Sequence, residues 1–233
     1  MNINTTKKYK YILWDMDDTL TDFKRSESLS LHQCFASYDI TLSAKDIDAY
    51  SEINHQHWSL LERGEIDKST MLVRRFEKFR EYLGNPNIDS AKINHNYQLA
   101  LGDNVILYPN AFDICQNLKI HYQQYIITNG TAIAQDKKLV NSGLIDIMDD
   151  AFISDRVGYE KPDIRFFNQC AAHIPNFQKE DALLIGDSLT SDMQGANNFG
   201  IDCCWFNPNA KAMPTNLSIN YVISSLIELY NFL

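Results

Sequence analysis

Residues 11 to 23 read YILWDMDDTLTDF. The stretch opens on a short apolar run, Tyr11-Ile12-Leu13-Trp14, the pattern of a strand buried on both faces. It ends in acid, with Asp15, Asp17 and Asp18 followed by the hydroxyl of Thr19. A hydrophobic strand that delivers carboxylates at its C-terminal end puts them where open α/β sheets bind ligands. Asp15 and Asp17 are two apart, so a fully extended chain would point both to one face. Two like charges held that close repel by roughly 4 kcal/mol at about 4 Å in a protein-like dielectric. A bound cation, a proton kept on one carboxyl or full exposure to water would each relieve that conflict. Taken alone, the stretch also reads as a strand running into an Asp-rich turn.

The bulk properties narrow the classes. The chain has 233 residues, 45% of them hydrophobic and 22% charged, which suits a globular protein with a real core and excludes disorder as the main state. Its formal charge of -9 argues against binding a nucleic-acid polymer through a broad basic face. An acidic chain can still take an anionic ligand if a metal and local cations reverse the sign inside the site. The opening MNINTTKKYK has no apolar signal region, and no run approaches the length of a membrane span. The five cysteines, Cys34, Cys115, Cys170, Cys203 and Cys204, are scattered and lack zinc spacing, so buried thiols in a reduced, cytoplasmic protein are expected.

From about Ser26 to Leu101 the apolar spacing is helical. Leu29, Cys34 and Phe35 mark a first segment, and Ile47, Tyr50, Ile53, Leu60 and Leu61 a second. Met71, Leu72, Phe76 and Phe79 mark a third, and Ile93 to Leu101 a fourth, which predicts a four-helix bundle inserted after the acidic strand. Trp58, Phe76 and Phe79 are expected in its core, and His55, His57 and Arg75 on its surface. From Leu107 strands and helices alternate, with strands over 125–128, 151–154, 182–185 and 203–206 and a last strand and helix over 221–233. That alternation predicts a doubly wound parallel sheet. The expected division is an α/β core of residues 1–22 and 105–233 and a helical domain of residues 23–104.

Four places carry polar chemistry at or just after a strand end: Asp15/Asp17/Thr19, Thr128-Asn129-Gly130, Lys161, and Asp187-Ser188 with Asp192. Each has an ordinary explanation. Thr before Asn-Gly is usually a turn, a loop lysine is usually solvated, and Asp at a helix start is often a cap. In a doubly wound sheet, however, such ends converge on one crevice. Two carboxylates near one point after Gly186 suit a hard divalent cation, and Mg²⁺ favours few carboxylates completed by water and phosphate.

In that order the motifs resemble those of haloacid-dehalogenase-superfamily phosphatases, and the resemblance covers essentially the whole chain. It implies a Rossmann-like core carrying an α-helical cap. It also implies Asp15 as the nucleophile that forms an aspartyl-phosphate, and Asp17 as general acid and then base. Mg²⁺, or another divalent ion such as Mn²⁺, would be held by the Asp15 carboxylate, the Asp17 main-chain carbonyl and Asp187, with Asp192 in support. Thr128, Asn129 and Lys161 would bind the phosphoryl group. Cap pieces around Trp58, Leu61-Glu62-Arg63-Gly64-Glu65-Ile66 and Arg74-Arg75-Phe76 narrow the resemblance toward bacterial pyrimidine 5′-nucleotidases. The partner implied is a small phosphomonoester, and monomer and homodimer both stay open. Phosphatases of small sugar phosphates share the core motifs. A non-catalytic phosphate-binding relic is disfavoured because every catalytic position is filled, and dehalogenation would leave Asp17 without work.

Overall fold

The structure, a computed structural model, describes residues 8–233; the N-terminal residues read above for a signal region lie mostly outside them. Among the described residues no helix is long and apolar enough to cross a membrane. The chain forms two compact units. One comprises the chain up to Asp22 together with Leu107–Ala132 and Ser142–Leu233, and the other Phe23–Ile106 with Ile133–Asn141.

The first unit is built on a six-stranded, all-parallel sheet. Its strands are β1 (Tyr11–Trp14), β2 (Gln123–Thr128), β3 (Asp150–Ile153), β4 (Ala182–Gly186), β5 (Asp202–Phe206) and β6 (Tyr221–Ile223), in the order β3-β2-β1-β4-β5-β6. The order reverses between β1 and β4, the switch point where open α/β sheets bind their ligands. All four residues of β1 are buried, as a central parallel strand requires. Tyr11, Leu13, Tyr125, Ile127, Leu184, Cys203 and Trp205 share one core cluster with Phe166, Phe167 and Phe199. The C-terminal helix expected after β6 is a 3₁₀ helix, Leu226–Asn231, opened by a capping box from Ser225 and Glu228.

The second unit contains α1 (Phe23–Ala36), α2 (Ala44–Glu62), α3 (Lys68–Tyr82) and α4 (Ser90–Asp103). Residues 133–141, most of the helix that follows β2, group with this unit. The Asn141 amide donates to the Gly102 carbonyl at 2.9 Å, and Lys137 pairs with Asp103 at 2.6 Å. Aromatic rings fill the bundle: Tyr50 lies 5.0 Å from Phe76, 5.2 Å from Phe79 and 5.5 Å from Tyr97, centroid to centroid. Such pairs add about 0.5–1.5 kcal/mol each beyond their area.

Four expectations for these helices need correction. Leu29 is 48% exposed, because the inner stripe of α1 runs through Ser26, Ser30, Leu31 and Cys34. Trp58 is only partly buried. His57 is buried, because α2 presents Ile47, Tyr50, Asn54 and His57 along one face. Its Nδ1 lies 2.7 Å from the Ile53 carbonyl. Arg75 is 1% exposed, four residues beyond buried Met71 on the inner face of α3.

Arg75 belongs to a buried polar network. Its guanidinium donates to Asn54 Oδ1 at 2.7 Å and to Asn94 Oδ1 at 3.0 Å. Asn54 Nδ2 in turn donates to Glu27 Oε1 at 2.9 Å, and the Ser51 and Tyr97 hydroxyls donate to the same carboxylate. Asn54 thus relays between a buried anion and a buried cation. Removing one charge strands the other. Arg75→Met is expected to lower the unfolding free energy by about 3 kcal/mol or more, read from a denaturant titration. A Glu27→Leu/Arg75→Met double variant should recover part of that loss. A cost below about 1 kcal/mol for the single variant would show that the network contributes little.

Candidate active site

The site is assembled at the C-terminal ends of β1, β2 and β4. Asp15 follows β1 directly, and its N–H donates to the Ile185 carbonyl of β4 at 2.9 Å. The ladder therefore extends one residue past β1 and fixes where the Asp15 side chain starts. Two residues later the backbone reverses. Asp18 takes a left-handed φ of 59°, which Asp tolerates better than most residues. The Leu20 and Thr21 N–H groups both return to the Met16 carbonyl at 3.0 Å. The strand thus runs into a turn at Asp17-Asp18, the Asp-rich turn that the sequence also allowed. The Thr21 hydroxyl donates to Asp17 Oδ1 at 3.1 Å. The Thr19 hydroxyl is buried with no hydrogen-bond partner among the described residues, an unusual state for a polar group.

Lys161 joins the strand ends. It is 1% exposed, and its Nζ donates to Asp15 Oδ1 at 2.8 Å, Asp192 Oδ1 at 2.7 Å and the Ile127 carbonyl at 2.8 Å. All three ammonium protons are used. Burial opposes the charge on Lys161, but the Asp15 and Asp192 carboxylates outweigh it and hold the ammonium protonated. The lysine's main chain is fixed by Asn129. The Asn129 amide donates to the Lys161 carbonyl, and its Oδ1 accepts from the Lys161 N–H, both at 2.8 Å. Thr128 is buried, and its hydroxyl oxygen accepts from Gly130 N–H at 3.0 Å, which leaves the hydroxyl proton for another acceptor.

After β4 the chain enters a π turn, Leu189–Met193, that brings Asp192 back over Gly186. A Cβ on Gly186 would lie 2.4 Å from Asp192 Oδ2, so only glycine leaves room for that carboxylate. Asp192 is fully buried, with Oδ1 taken by Lys161 and Oδ2 accepting from Ser188 N–H at 3.1 Å. No hydrogen-bond donor reaches the Asp187 carboxylate among the described residues. The Asp187 carbonyl accepts from the Trp205 indole at 2.9 Å.

Asp15, Asp187 and Asp192 each offer an oxygen within 4.8 Å of the others. Three carboxylates against one ammonium leave two negative charges uncompensated. Burial and the neighbouring carboxylates push the affinities of Asp15 and Asp187 for protons upward. A hard divalent cation fits this all-oxygen set and would favour the ionised form of both. Because both Asp192 oxygens are already engaged, Asp15 and Asp187 are the carboxylates left to hold it. The structure thus brings Asp15, Lys161, Asp187 and Asp192 into one cluster, with Asn129 holding the Lys161 loop. The bond from the Trp205 indole to the main chain beside this cluster was not anticipated. Its only signal was a large indole within an apolar strand.

Residues 12–206 match the model of the haloacid dehalogenase-like hydrolase family. The HAD-hydrolase YfnB of Bacillus subtilis is 35% identical over 97% of this chain and 96% of its own. A crystal structure of YfnB bound to magnesium, which reveals interdomain movement, superposes with a TM-score of 0.92 over 97% of this chain and 98% of that one. Pyrimidine 5′-nucleotidase PynA of Streptococcus pneumoniae is 33% identical over 97% of this chain and 95% of its own. Pyrimidine 5′-nucleotidase YjjG of Escherichia coli is 29% identical over 97% and 98%. The chain belongs to the haloacid dehalogenase-like hydrolase family and is a hydrolase.

Gly186→Ala tests the packing of Asp192. The added methyl should displace Asp192 from Lys161 and lower the unfolding free energy by about 1–3 kcal/mol, as overpacking does. A denaturation midpoint equal to that of the parent protein would show that Asp192 is not held as described.

Proposed function

We propose that this member of the family is a Mg²⁺-dependent phosphomonoesterase of nucleoside 5′-monophosphates, pyrimidines preferred, working through an aspartyl-phosphate on Asp15. The observation that carries the chemistry is the meeting of Asp15, Asp187 and Asp192, with the Lys161 ammonium bonded to Asp15 and Asp192. The likeness to PynA and YjjG supports the substrate class.

In this reading an Asp15 carboxylate oxygen attacks phosphorus while the bond from phosphorus to the nucleoside oxygen breaks. Asp17 gives the leaving oxygen its proton. Its Oδ1 is steered by the Thr21 hydroxyl, which fixes the direction from which that proton is offered. Asp17 then takes a proton from water, whose oxygen attacks the phosphoryl group and releases Asp15 and inorganic phosphate. Lys161 holds Asp15 in place and offsets the charge that gathers on the phosphoryl oxygens. The Thr128 hydroxyl proton, left over once its oxygen accepts from Gly130, is a donor for those oxygens. A divalent ion held by the Asp15 carboxylate, the Asp17 carbonyl and Asp187 would neutralise the incoming phosphate and orient it for in-line displacement. The five cysteines are all buried and unpaired, which suits the reducing cytoplasm in which we place the enzyme.

Phosphate release should be followed with and without Mg²⁺ on dUMP, dTMP, UMP, AMP, glucose 6-phosphate, phosphoglycolate and an aryl phosphate. Pyrimidine monophosphates are expected to be turned over fastest, with activity abolished by chelation. Asp15→Asn should remove turnover, a loss of at least about 10³-fold, while the protein stays folded. Release from sugar phosphates alone would discard the nucleotide reading and keep the mechanism. Turnover that survived Asp15→Asn would sink the mechanism itself.

A further inference from the structure

We infer that Trp205 is a positioning residue for metal binding, acting through the peptide bond between Asp187 and Ser188. The inference rests on Asp187 being a metal ligand, as proposed above.

That single peptide unit is held at both edges. Its carbonyl, on Asp187, accepts from Trp205 Nε1 at 2.9 Å, and its N–H, on Ser188, donates to Asp192 Oδ2 at 3.1 Å. Asp192 is in turn fixed by Lys161 through its other oxygen. Beyond Ser188 the turn closes on itself: Ser191 N–H donates to Ser188 Oγ at 3.1 Å, and Asp192 N–H to the Ser188 carbonyl at 3.1 Å. The peptide plane after Asp187 therefore cannot rotate without breaking a bond to a buried partner.

The anchor is rigid. Trp205 is fully buried and sits in β5 directly across from Gly186, the residue before Asp187. β4 ends at Gly186, so the Asp187 carbonyl lies beyond the strand, where it meets a side-chain donor instead of a backbone one. The Asp187 carboxylate itself is bonded to no donor among the described residues, so its direction is set by its backbone and by the ligand it takes. A group that orients a metal ligand from behind typically changes metal affinity by about 10- to 100-fold when removed. A buried indole also has to place its N–H somewhere, and a purely structural bond would have the same geometry. Metal affinity separates the two.

The test is calorimetric titration of Mg²⁺ into the full-length parent protein, Asp187→Asn, Trp205→Phe, and a variant with β-(3-benzothienyl)alanine at 205. The last keeps the ring shape and removes only the N–H. Both Trp205 variants are expected to bind Mg²⁺ roughly tenfold or more weakly. Turnover at saturating Mg²⁺ should stay within about twofold of the parent, so the effect falls on the Mg²⁺ activation constant and not on kcat. If Trp205→Phe does not fold, the benzothienyl variant decides, since it leaves the packing intact. Unchanged Mg²⁺ affinity in a folded variant overturns the inference, whether or not thermal stability falls. A parent protein that binds no Mg²⁺, or an Asp187→Asn variant that binds as tightly as the parent, overturns the metal reading beneath it instead.

Discussion

The Lys161 ammonium, buried and bonded to Asp15, Asp192 and the Ile127 carbonyl, is the interaction on which the rest of the site depends. A buried lysine is costly unless it is paired and fully hydrogen-bonded, and this one meets both conditions. Its partners come from the ends of β1 and β2 and from the π turn after β4, so one cation ties three separate segments to a point. The supports around it follow from the same need. Asn129 fixes the lysine's main chain, Ser188 holds the far oxygen of Asp192, and Gly186 leaves the space that Asp192 occupies.

This arrangement is neutral on the protein side only in part. Lys161 satisfies one oxygen of Asp15 and one of Asp192, but it gives no hydrogen bond to Asp187, where its attraction is outweighed by burial and by the Asp15 and Asp192 carboxylates. The folded protein thus holds an electrostatic deficit at the switch point of its sheet. Sites that store repulsion in this way bind cations tightly because the ligand relieves a cost already met by the fold.

The core of this design was legible in the sequence because it lies in contiguous residues. A four-residue apolar run followed by Asp-x-Asp-x-Thr, and a second run followed by Gly-Asp, announce strand ends with chemistry on them, and both stand where expected. The helical insert was legible by its 3.6-residue period, and Phe76 and Phe79 are buried as expected, but the polar part of its interior was not legible. Arg75 and His57 read as surface residues because their type says polar, and only a partner such as Asn54 makes the inside habitable for a cation. Leu29 failed in the opposite sense: an apolar type was taken as inward although its position falls off the buried stripe. Asn129 was expected at the site as a phosphoryl ligand, but its bond to the main chain of Lys161 was unreadable, and so was the bond from Trp205 to Asp187. Their partners are main-chain atoms 32 and 18 residues away, and no side-chain pattern marks a backbone acceptor.

The Glu27–Asn54–Arg75 relay has a consequence for how the helical unit can vary. Asn54 bonds both the Glu27 carboxylate and the Arg75 guanidinium, so α1, α2 and α3 are coupled through one buried side chain. Substitution of any one of these residues alone disturbs all three helices, whereas substitutions on the outward faces of the same helices alter the surface of the insert and leave the spacing of its helices unchanged.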